Sequence, residues 1–378
     1  MADPAPVPLV ALLTAVEDPR RPQARRHSLE AILLIATLAV ICGADNWTEV
    51  EFFGHQKQAW LETFLELPHG VPSHDTFGRV FSLLDPAQLE ACFAAWVQSL
   101  AATLQDGVVA VDGKAARGSH DQARGVSPLH LVSAWADEAR LVLGQRQVDD
   151  RSNEITAIPA LLETLALEGC IVTIDAMGCQ KRIAQTIRDR GADYVLALKG
   201  NQPQLHEAVV ETFTVEQAEG FEGCDHDFHQ TVNKNHGRIE TRRCWVLGTP
   251  EYTRYVDPDG AWPDLHSLIM IEAQRRQGDQ VTAETRYYIS SLPADARALL
   301  QAVRSHWGIE NSLHWVLDMA FREDASRVRI GHAAHNLSLL RRMALNLLRR
   351  ETTAKGGIAA RRKQAGWNDG YLLKVLSN

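Results

Sequence analysis

The sequence predicts a protein of mixed α+β and α/β class, in which an N-terminal all-helical domain precedes a domain built around a β-sheet. Apolar residues recur with the helical period over residues 28–43, 46–65, 73–84 and 86–104, and prolines separate these segments. Short apolar strands then alternate with helical segments, and a later series of alternating stretches indicates further strands. These three observations define the fold class.

The first 105 residues are predicted to form the helical domain. Ser73 and Asp85 stand immediately before two of the helical segments, and their side-chain oxygens suit the cap position at a helix start. The longest apolar run, residues 31–42, is shorter than the roughly 20 residues of a membrane-spanning helix, so it predicts a buried helix and no membrane partner. The six cysteines show no zinc spacing and the chain opens without a signal-peptide pattern, so a reduced, cytoplasmic protein is expected.

Charge is distributed unevenly along the 378 residues. The net charge of −8 argues against a uniformly basic nucleic-acid binder, yet residues 304–378 contain 13 Lys or Arg against 6 Asp or Glu. This asymmetry favours a phosphate-binding face that includes Arg341 and Arg342, and the alternative is a solvated helix face. Residues 351–378, where basic residues and glycines are mixed, are predicted to form a flexible basic tail.

Residues 106–350 are predicted to form the second domain, whose first half shows a definite order of elements. Strands are predicted at 108–112, 129–136, 141–148, 170–175 and 193–198, with helices at 155–167 and 180–190. Three strands, a helix, a strand, a helix and a strand make the ribonuclease-H-like order. In such a sheet the strands that begin at residues 108 and 170 are neighbours.

A carboxylate ends each of these two strands, because Asp112 and Asp175 follow short apolar runs. Burying a lone carboxylate costs several kcal/mol unless it is paired or binds a metal. Two acids at one sheet edge are therefore candidate ligands for divalent cations such as Mg²⁺ or Mn²⁺. The alternative is that each acid only starts the turn that follows its strand.

A third acid, Glu310, lies within a predicted helix. Apolar residues recur around it every three to four positions over residues 299–317, and His314 follows it by four residues. This spacing sets the carboxylate among ring side chains on one face of the helix. The alternative is a solvated Glu310 that pairs at most with His306 or His314.

A long insertion separates the second acid from the third. Asp175 follows Asp112 by 63 positions but Glu310 follows Asp175 by 135, so about residues 203–292 are inserted, and their alternation predicts strands. Four polar side chains share one strand face there, at His236, Arg238, Glu240 and Arg242. This face suits either a phosphate clamp, with the carboxylate orienting the arginines, or a cross-strand charge ladder on a solvated surface.

The residues around the three acids resemble a known family. Asp112 stands in Ala-Val-Asp-Gly-Lys, Asp175 in Thr-Ile-Asp-Ala-Met-Gly-Cys-Gln, and Glu310 in His-Trp-Gly-Ile-Glu-Asn-Ser-Leu-His-Trp. Together they resemble the Asp-Asp-Glu triad of bacterial insertion-sequence DDE transposases, in the H-repeat-associated branch. The resemblance covers nearly the whole chain, since residues 72–77 and 198–202 also look like that branch. One departure concerns His306 and Leu317, which stand at helical offsets where related transposases carry Tyr, Arg or Lys.

The resemblance implies a DNA transposase that cuts and transfers DNA strands with two Mg²⁺ or Mn²⁺ ions held by Asp112, Asp175 and Glu310. The implied partners are double-stranded DNA, as element ends and target, and a second copy of the chain, since two ends need two active sites. Active protein is then expected at the nucleoid. The candidate DNA contacts are Lys114, Lys199, Asn201, His236, Arg238, Arg242, Arg304, His306, Asn311, Arg341 and Arg342. Two alternatives are a ribonuclease-H-like nuclease that only hydrolyses and a domesticated DNA-binding protein.

Overall fold

The computed structural model describes residues 9–100, 107–122, 125–149, 152–235 and 237–377. The helices are α1 Leu9–Leu13, α2 Leu29–Cys42, α3 Trp47–Gln56, α4 Gln58–Leu61, α5 His74–Leu83, α6 Pro86–Ser99, α7 Glu154–Leu162, α8 Lys181–Asp189, α9 Pro203–Ala218, α10 Pro250–Val256, α11 Ala296–Gly308, α12 Trp315–Phe321, α13 Ala333–Arg350, α14 Ile358–Trp367 and α15 Asp369–Leu376. The strands are β1 Val108–Ala116, β2 Leu129–Ala136, β3 Leu141–Gln147, β4 Ile171–Ile174, β5 Asp193–Leu198, β6 His226–Asn235, β7 Arg238–Leu247, β8 Ser267–Gln277 and β9 Gln280–Ser290.

The N-terminal helical region is organised around α2, which is buried along almost its whole length. Ser28 caps this helix by accepting a hydrogen bond from the backbone N–H of Ala31, and Gly43 ends it with a positive φ of 117°. The predicted caps are confirmed, because Ser73 and Asp85 accept hydrogen bonds from the first turns of α5 and α6. Within the described ranges no single helix is long and apolar enough to span a membrane, although α2 and the following α3, bent by 95°, pass that test as a pair.

Helices from the C-terminal end complete this helical region. The long helix α13 packs against α2, α5 and α6, and α14 and α15 pack against α2. The prediction of a flexible tail for residues 351–378 is therefore wrong. Basic residues that indicated a solvated arm instead bind backbone carbonyls near helix ends: Arg362 donates to Val40 and Ala44 at the end of α2, and Arg361 donates to Leu348 near the end of α13.

The nine strands form one mixed sheet in the order β3-β2-β1-β4-β5-β9-β8-β7-β6. β1 pairs with β2 and β2 with β3 in antiparallel fashion, whereas β1, β4 and β5 run parallel. The predicted adjacency of the first and fourth strands is thus confirmed. The strands predicted in the inserted segment are present as β6 to β9, and they extend the same sheet because β9 pairs with β5.

Helices cover both faces of the central strands, which explains why β1, β4 and β5 are apolar at consecutive positions. Val109 and Val172 belong to the core beneath α7 and α8, whereas Val108 and Val195 pack in a second core with the apolar side of α11. Neighbouring side chains on a strand point to opposite faces, so Asp112, four residues after Val108, lies on the same face as Val108 and faces α11. The helix that follows α11 in the chain can therefore reach this carboxylate.

Candidate active site

Asp112 lies inside β1 and not at its end, contrary to the prediction. The parallel pairing of β1 with β4 ends at Val111 and Ile174, but the antiparallel pairing with β2 continues through Asp112, opposite Ser133, to Ala116. The carboxylate thus stands at the point where the neighbouring parallel strand has ended, and its side chain is 16% exposed. The turn-only alternative for Asp112 is excluded, because the strand continues beyond it.

Asp175 follows the last residue of β4 and begins a short 3₁₀ turn. Its Oδ1 accepts hydrogen bonds from the backbone N–H groups of Met177 at 3.0 Å and Gly178 at 3.3 Å. The turn role that the sequence allows is therefore realised at this acid. The same side chain also lines a cavity with Asp112, so the turn fixes a carboxylate at the sheet edge.

Glu310 lies in a single π-helical turn, Ile309–His314, inserted between α11 and α12. Such turns widen a helix locally and occur frequently at functional sites. Just before this turn Gly308 packs against the β2–β3 connection, where a Cβ atom would lie 2.1 Å from Oδ1 of Asp137. A larger residue at this position would require the Asp137 carboxylate to move aside.

His314 completes the group, and its role was not predicted from the sequence. Its Nδ1 lies 3.6 Å from Oδ2 of Asp112 and 3.6 Å from Oε2 of Glu310. One potential ligand atom from each of the three residues falls within 4.8 Å of the others. The available sequence signal is the four-residue spacing from Glu310 to His314, which places the two side chains on one helix face but does not show that the ring also reaches Asp112.

The three acids meet at one cavity of about 440 Å³. Asp112, Asp175 and Glu310 line it together with Lys199 and His306. The cavity opens where β4 and its parallel pairing with β1 end, which is the edge of the sheet that the order of elements predicts. This convergence brings acids from two strands and one helix into a single site.

Proton binding by the acids depends strongly on their surroundings. Burial, together with the adjacent Glu310 carboxylate, raises the pKa of Asp112 to about 8, and the charge of Asp175 adds to this effect. A hydrogen bond with His314 lowers the pKa of Glu310. The two carboxyl groups therefore titrate as a pair, and together they bind one proton more tightly than two separate carboxyl groups would.

These residues fit a divalent cation. Carboxylate oxygens are the hard ligands that Mg²⁺ and Mn²⁺ prefer, and an imidazole nitrogen is compatible with Mn²⁺. Two carboxyl groups held together raise each other's proton affinity, and a cation would relieve that repulsion. Nε2 of His314 is buried without a hydrogen-bond partner among the described residues, so nothing in that part of the chain fixes the ring through this atom.

Several predicted phosphate contacts lie around the cavity, and they differ in exposure, in charge and in their hydrogen bonds to the protein. Lys199 is exposed at its rim. Burial lowers the pKa of His306, whose Nδ1 lies 3.0 Å from the Thr173 hydroxyl, so this ring is neutral at neutral pH. The side-chain amide of Asn201 donates to the carbonyl of Ala176, and that of Asn311 donates to the carbonyl of Trp307. Both amides thus support backbone near the acids.

Two predicted DNA contacts are wrong, because Arg341 and Arg342 are only 2% and 0% exposed. The Arg342 guanidinium lies 2.9 Å from the Glu323 carboxylate in the protein interior. The charge pattern of one sequence segment predicts a basic surface, because it does not reveal a partner that the fold brings to these arginines in the interior. These two arginines hold α13 in place and cannot reach a phosphate.

The other described candidate contacts do not line this cavity. Lys114 forms ion pairs with Asp318 at 2.8 Å and Asp324 at 3.0 Å and is 9% exposed. Arg238 and Arg242 both contact Glu240, as the strand alternation suggested. Two further candidates are Arg304, which is exposed on α11, and His236, which lies outside the described residues.

Comparison with known proteins identifies the family. Residues 103–347 match the family model described as "Transposase DDE domain", and residues 10–97 match the one described as "DDE_Tnp_1-associated". The chain is 42% identical over 374 residues to "Putative transposase YncI" of Escherichia coli O157:H7, across 98% of this chain and 94% of that protein. It is 36% identical over 375 residues to "H repeat-associated putative transposase YhhI" of Escherichia coli strain K12, across 98% of this chain and 97% of that protein.

A solved structure of the piggyBac transposase in a synaptic complex with hairpin DNA gives a TM-score of 0.46 at 8% identity, covering 98% of this chain and 81% of that chain. The chain belongs to the DDE transposases, a family of nucleic-acid-processing enzymes.

Proposed function

We propose that this transposase cuts and transfers DNA strands by metal-dependent phosphoryl transfer in a ribonuclease-H-like domain. The observation that carries the proposal is the meeting of Asp112, Asp175 and Glu310 at one cavity. The neighbouring parallel strands and the helical turn that supply them leave an open rim where a DNA backbone can enter. No covalent protein intermediate is required, because the attacking groups are water and a DNA hydroxyl.

The three carboxylates are proposed to hold two Mg²⁺ or Mn²⁺ ions. When bound, such ions supply Lewis-acid activation of the attacking oxygen and neutralise charge on the phosphate. Asp175 is held in place for this task by its two backbone hydrogen bonds, and His314 keeps Asp112 and Glu310 on the same side of the site. Lys199 at the rim attracts the phosphate backbone, and neutral His306 adds no charge that would compete with the ions.

The proposed substrates are double-stranded element ends and target DNA. Joining two ends to one target requires two active sites, so we infer that the working unit on DNA is a homodimer, acting at the nucleoid. The remaining exposed candidates for contact with the substrate near the cut are Lys199, Asn201 and Asn311. Lys199 is placed for direct contact because it lines the cavity.

The test uses a labelled duplex carrying the element's end, incubated with protein and Mg²⁺. Asp112→Asn and Asp175→Asn keep the side-chain size and remove the charge, so strand cleavage should be lost while gel-shift affinity without metal is kept or slightly increased. Asp259→Asn, an equal change at an exposed position remote from the three acids in sequence, serves as the control. Cleavage that survives in both site variants would remove these acids from the mechanism.

The products distinguish the rival activities. A transposase joins the freed 3′ end to a supercoiled target plasmid, which appears as a labelled product larger than the substrate. Cleavage without such joining would favour a nuclease that only hydrolyses. Binding with neither product, by wild-type protein in Mg²⁺ or Mn²⁺, would favour a DNA-binding protein without catalytic activity.

A further inference from the structure

A polar groove lies between the edge strand β6 and helix α11. Two neighbouring cavities of about 480 and 310 Å³ form it, and Arg304 of α11 lines both. β6 has β7 as its one partner in the sheet, and Asp227 on β6 accepts a 2.7 Å hydrogen bond from the backbone N–H of Ala296 at the start of α11. Strand and helix are therefore fixed to each other where the groove begins.

The groove is cationic. Its walls carry Arg297, Arg304, Lys234 and Arg238 against the carboxylates of Asp137 and Glu240. Glu240 lies 3.0 Å from Arg238, but in the part of the chain that the structure describes neither Arg297 nor Arg304 has an ion-pair or hydrogen-bond partner for its guanidinium. Both arginines are exposed, so an anion can reach them without displacing a protein group.

The groove and the acidic cavity lie on different sides of α11. Val303, His306 and Glu310 face the acidic cavity, whereas Arg297, Gln301 and Arg304 form a separate row that faces the groove. Both rows repeat at three to four residues, as neighbours on one helix side must. A ligand in the groove therefore does not compete with a strand at the acids.

The dimensions suit an extended ligand. The groove follows β6 from His229 to Lys234, and the five steps between these six residues extend about 16 Å. Phosphates of one DNA strand repeat about every 3.4 Å along the duplex axis, so this length passes several of them. An arginine guanidinium binds phosphate oxygens through two parallel hydrogen bonds. Arg297 and Arg304 are exposed, have no partner among the described residues and lie seven residues apart, so each can bind a phosphate of the same DNA strand.

We propose that this groove is a second binding site of the transposase, which holds the phosphate backbone of duplex DNA away from the strand being cut. The assignment rests on the proposed DNA-cutting function; it adds Arg297 to the candidate contact Arg304 and places both on the side of α11 away from the acids. Backbone contacts carry no sequence information, so the site binds duplexes of any sequence alike.

The experiment measures binding and its salt dependence for Arg297→Gln/Arg304→Gln in the full-length protein. The probes are a labelled duplex with the element's end and a shuffled duplex of the same length and composition. Loss of two phosphate contacts should lower the affinity for both duplexes by the same factor and reduce the log-log salt slope by about 1.8. The matched control is Arg182→Gln/Arg254→Gln, which removes the same charge from exposed positions on α8 and α10 and should change the slope little.

Three outcomes decide the proposal. A smaller slope in the groove variant than in the control supports it, provided that Mn²⁺ binding measured by calorimetry is unchanged. Equal losses in both variants, or an unchanged slope in the groove variant, overturn it. Because these readouts are binding and not cleavage, retained cleavage in the Asp112→Asn protein would refute the proposed catalytic site while leaving the result on the groove interpretable.

Discussion

Lys114 provides a sharp test of how the active site is held together. It stands two residues after Asp112 on the same face of β1, and its ammonium contacts Asp318 on α12 and Asp324 just beyond that helix. These ion pairs join the strand that carries Asp112 to the helical segment that follows Glu310. The sequence suggested instead that Lys114 contacts DNA, and the two roles predict different behaviour for Lys114→Met.

The size of the effect follows from burial. The Lys114 side chain is 9% exposed, whereas the side chains of Asp318 and Asp324 are 30% and 31% exposed. Removing one partner of a fully buried pair costs about 3–5 kcal/mol, and partial solvent access to the two carboxylates reduces this to about 2 kcal/mol of unfolding free energy. A shift of about 1 Å in Glu310 would also slow strand cleavage on the order of 100-fold.

The assays are urea denaturation, cleavage of the labelled element end, and gel-shift titration at several salt concentrations. A positioning role predicts lower stability, slower cleavage and unchanged salt slope in Lys114→Met. It also predicts that adding Asp318→Asn and Asp324→Asn recovers most of the lost stability, because the unpaired charges are then gone. Normal stability with a salt slope smaller by about 0.9 would instead identify Lys114 as a phosphate contact and refute the positioning argument.

Three further predictions concern other parts of the molecule. Burial alone would raise the pKa of Glu323, but the Arg342 charge holds this pKa at about 2. The stabilisation from the ionised Glu323 is therefore present above the unfolded pKa of about 4.3 and is lost as pH falls toward 2. Glu323→Gln should cost about 3–5 kcal/mol of unfolding free energy at neutral pH, and the urea-denaturation midpoint of the variant should fall less steeply in acid. Deleting residues 351–378 should lower the melting temperature and expose α2 to limited proteolysis, whereas removing only residues 377–378 should not, and equal melting of both truncations would contradict the packing argument. His314→Gln should weaken Mn²⁺ binding, measured by calorimetry, by about 10- to 100-fold, and unchanged affinity would show that His314 does not support the ligands.

The order of the central strands could be predicted from the sequence because its signal is local. Consecutive apolar residues such as those in β1 and β4 arise only when both sheet faces are covered, as they are here by α7 and α8 on one side and α11 on the other. Short connections then limit the possible arrangements. The placement of Asp112 beside Asp175 follows from these two constraints, without knowledge of any distant contact.

The C-terminal helices and the arginines of α13 could not be predicted in the same way, because their surroundings come from distant parts of the chain. The Arg342 side chain is neutralised by Glu323 and reaches the Ser133 hydroxyl on β2, and Arg362 binds the end of α2, more than 300 residues away. The sequence shows that these residues are charged, but it does not show whether the fold places a carboxylate or a carbonyl next to them. An arginine-rich helix therefore looks identical in sequence whether it faces water or the core.

The helical turn around Glu310 shows why the triad was easier to predict than its geometry. A pattern with the α-helical period places Glu310 among apolar neighbours, yet its side chain is 51% exposed, while Ile309 beside it is fully buried. Adjacent residues on a helix point about 100° apart, so Glu310 can face the cavity while Ile309 faces the core. Glu310 is thereby turned toward Asp112 and the cavity, while Leu313 and Leu317 remain buried. The π-helical turn Ile309–His314 carries both Glu310 and His314, so one short segment supplies the third carboxylate and the imidazole that lies beside Asp112.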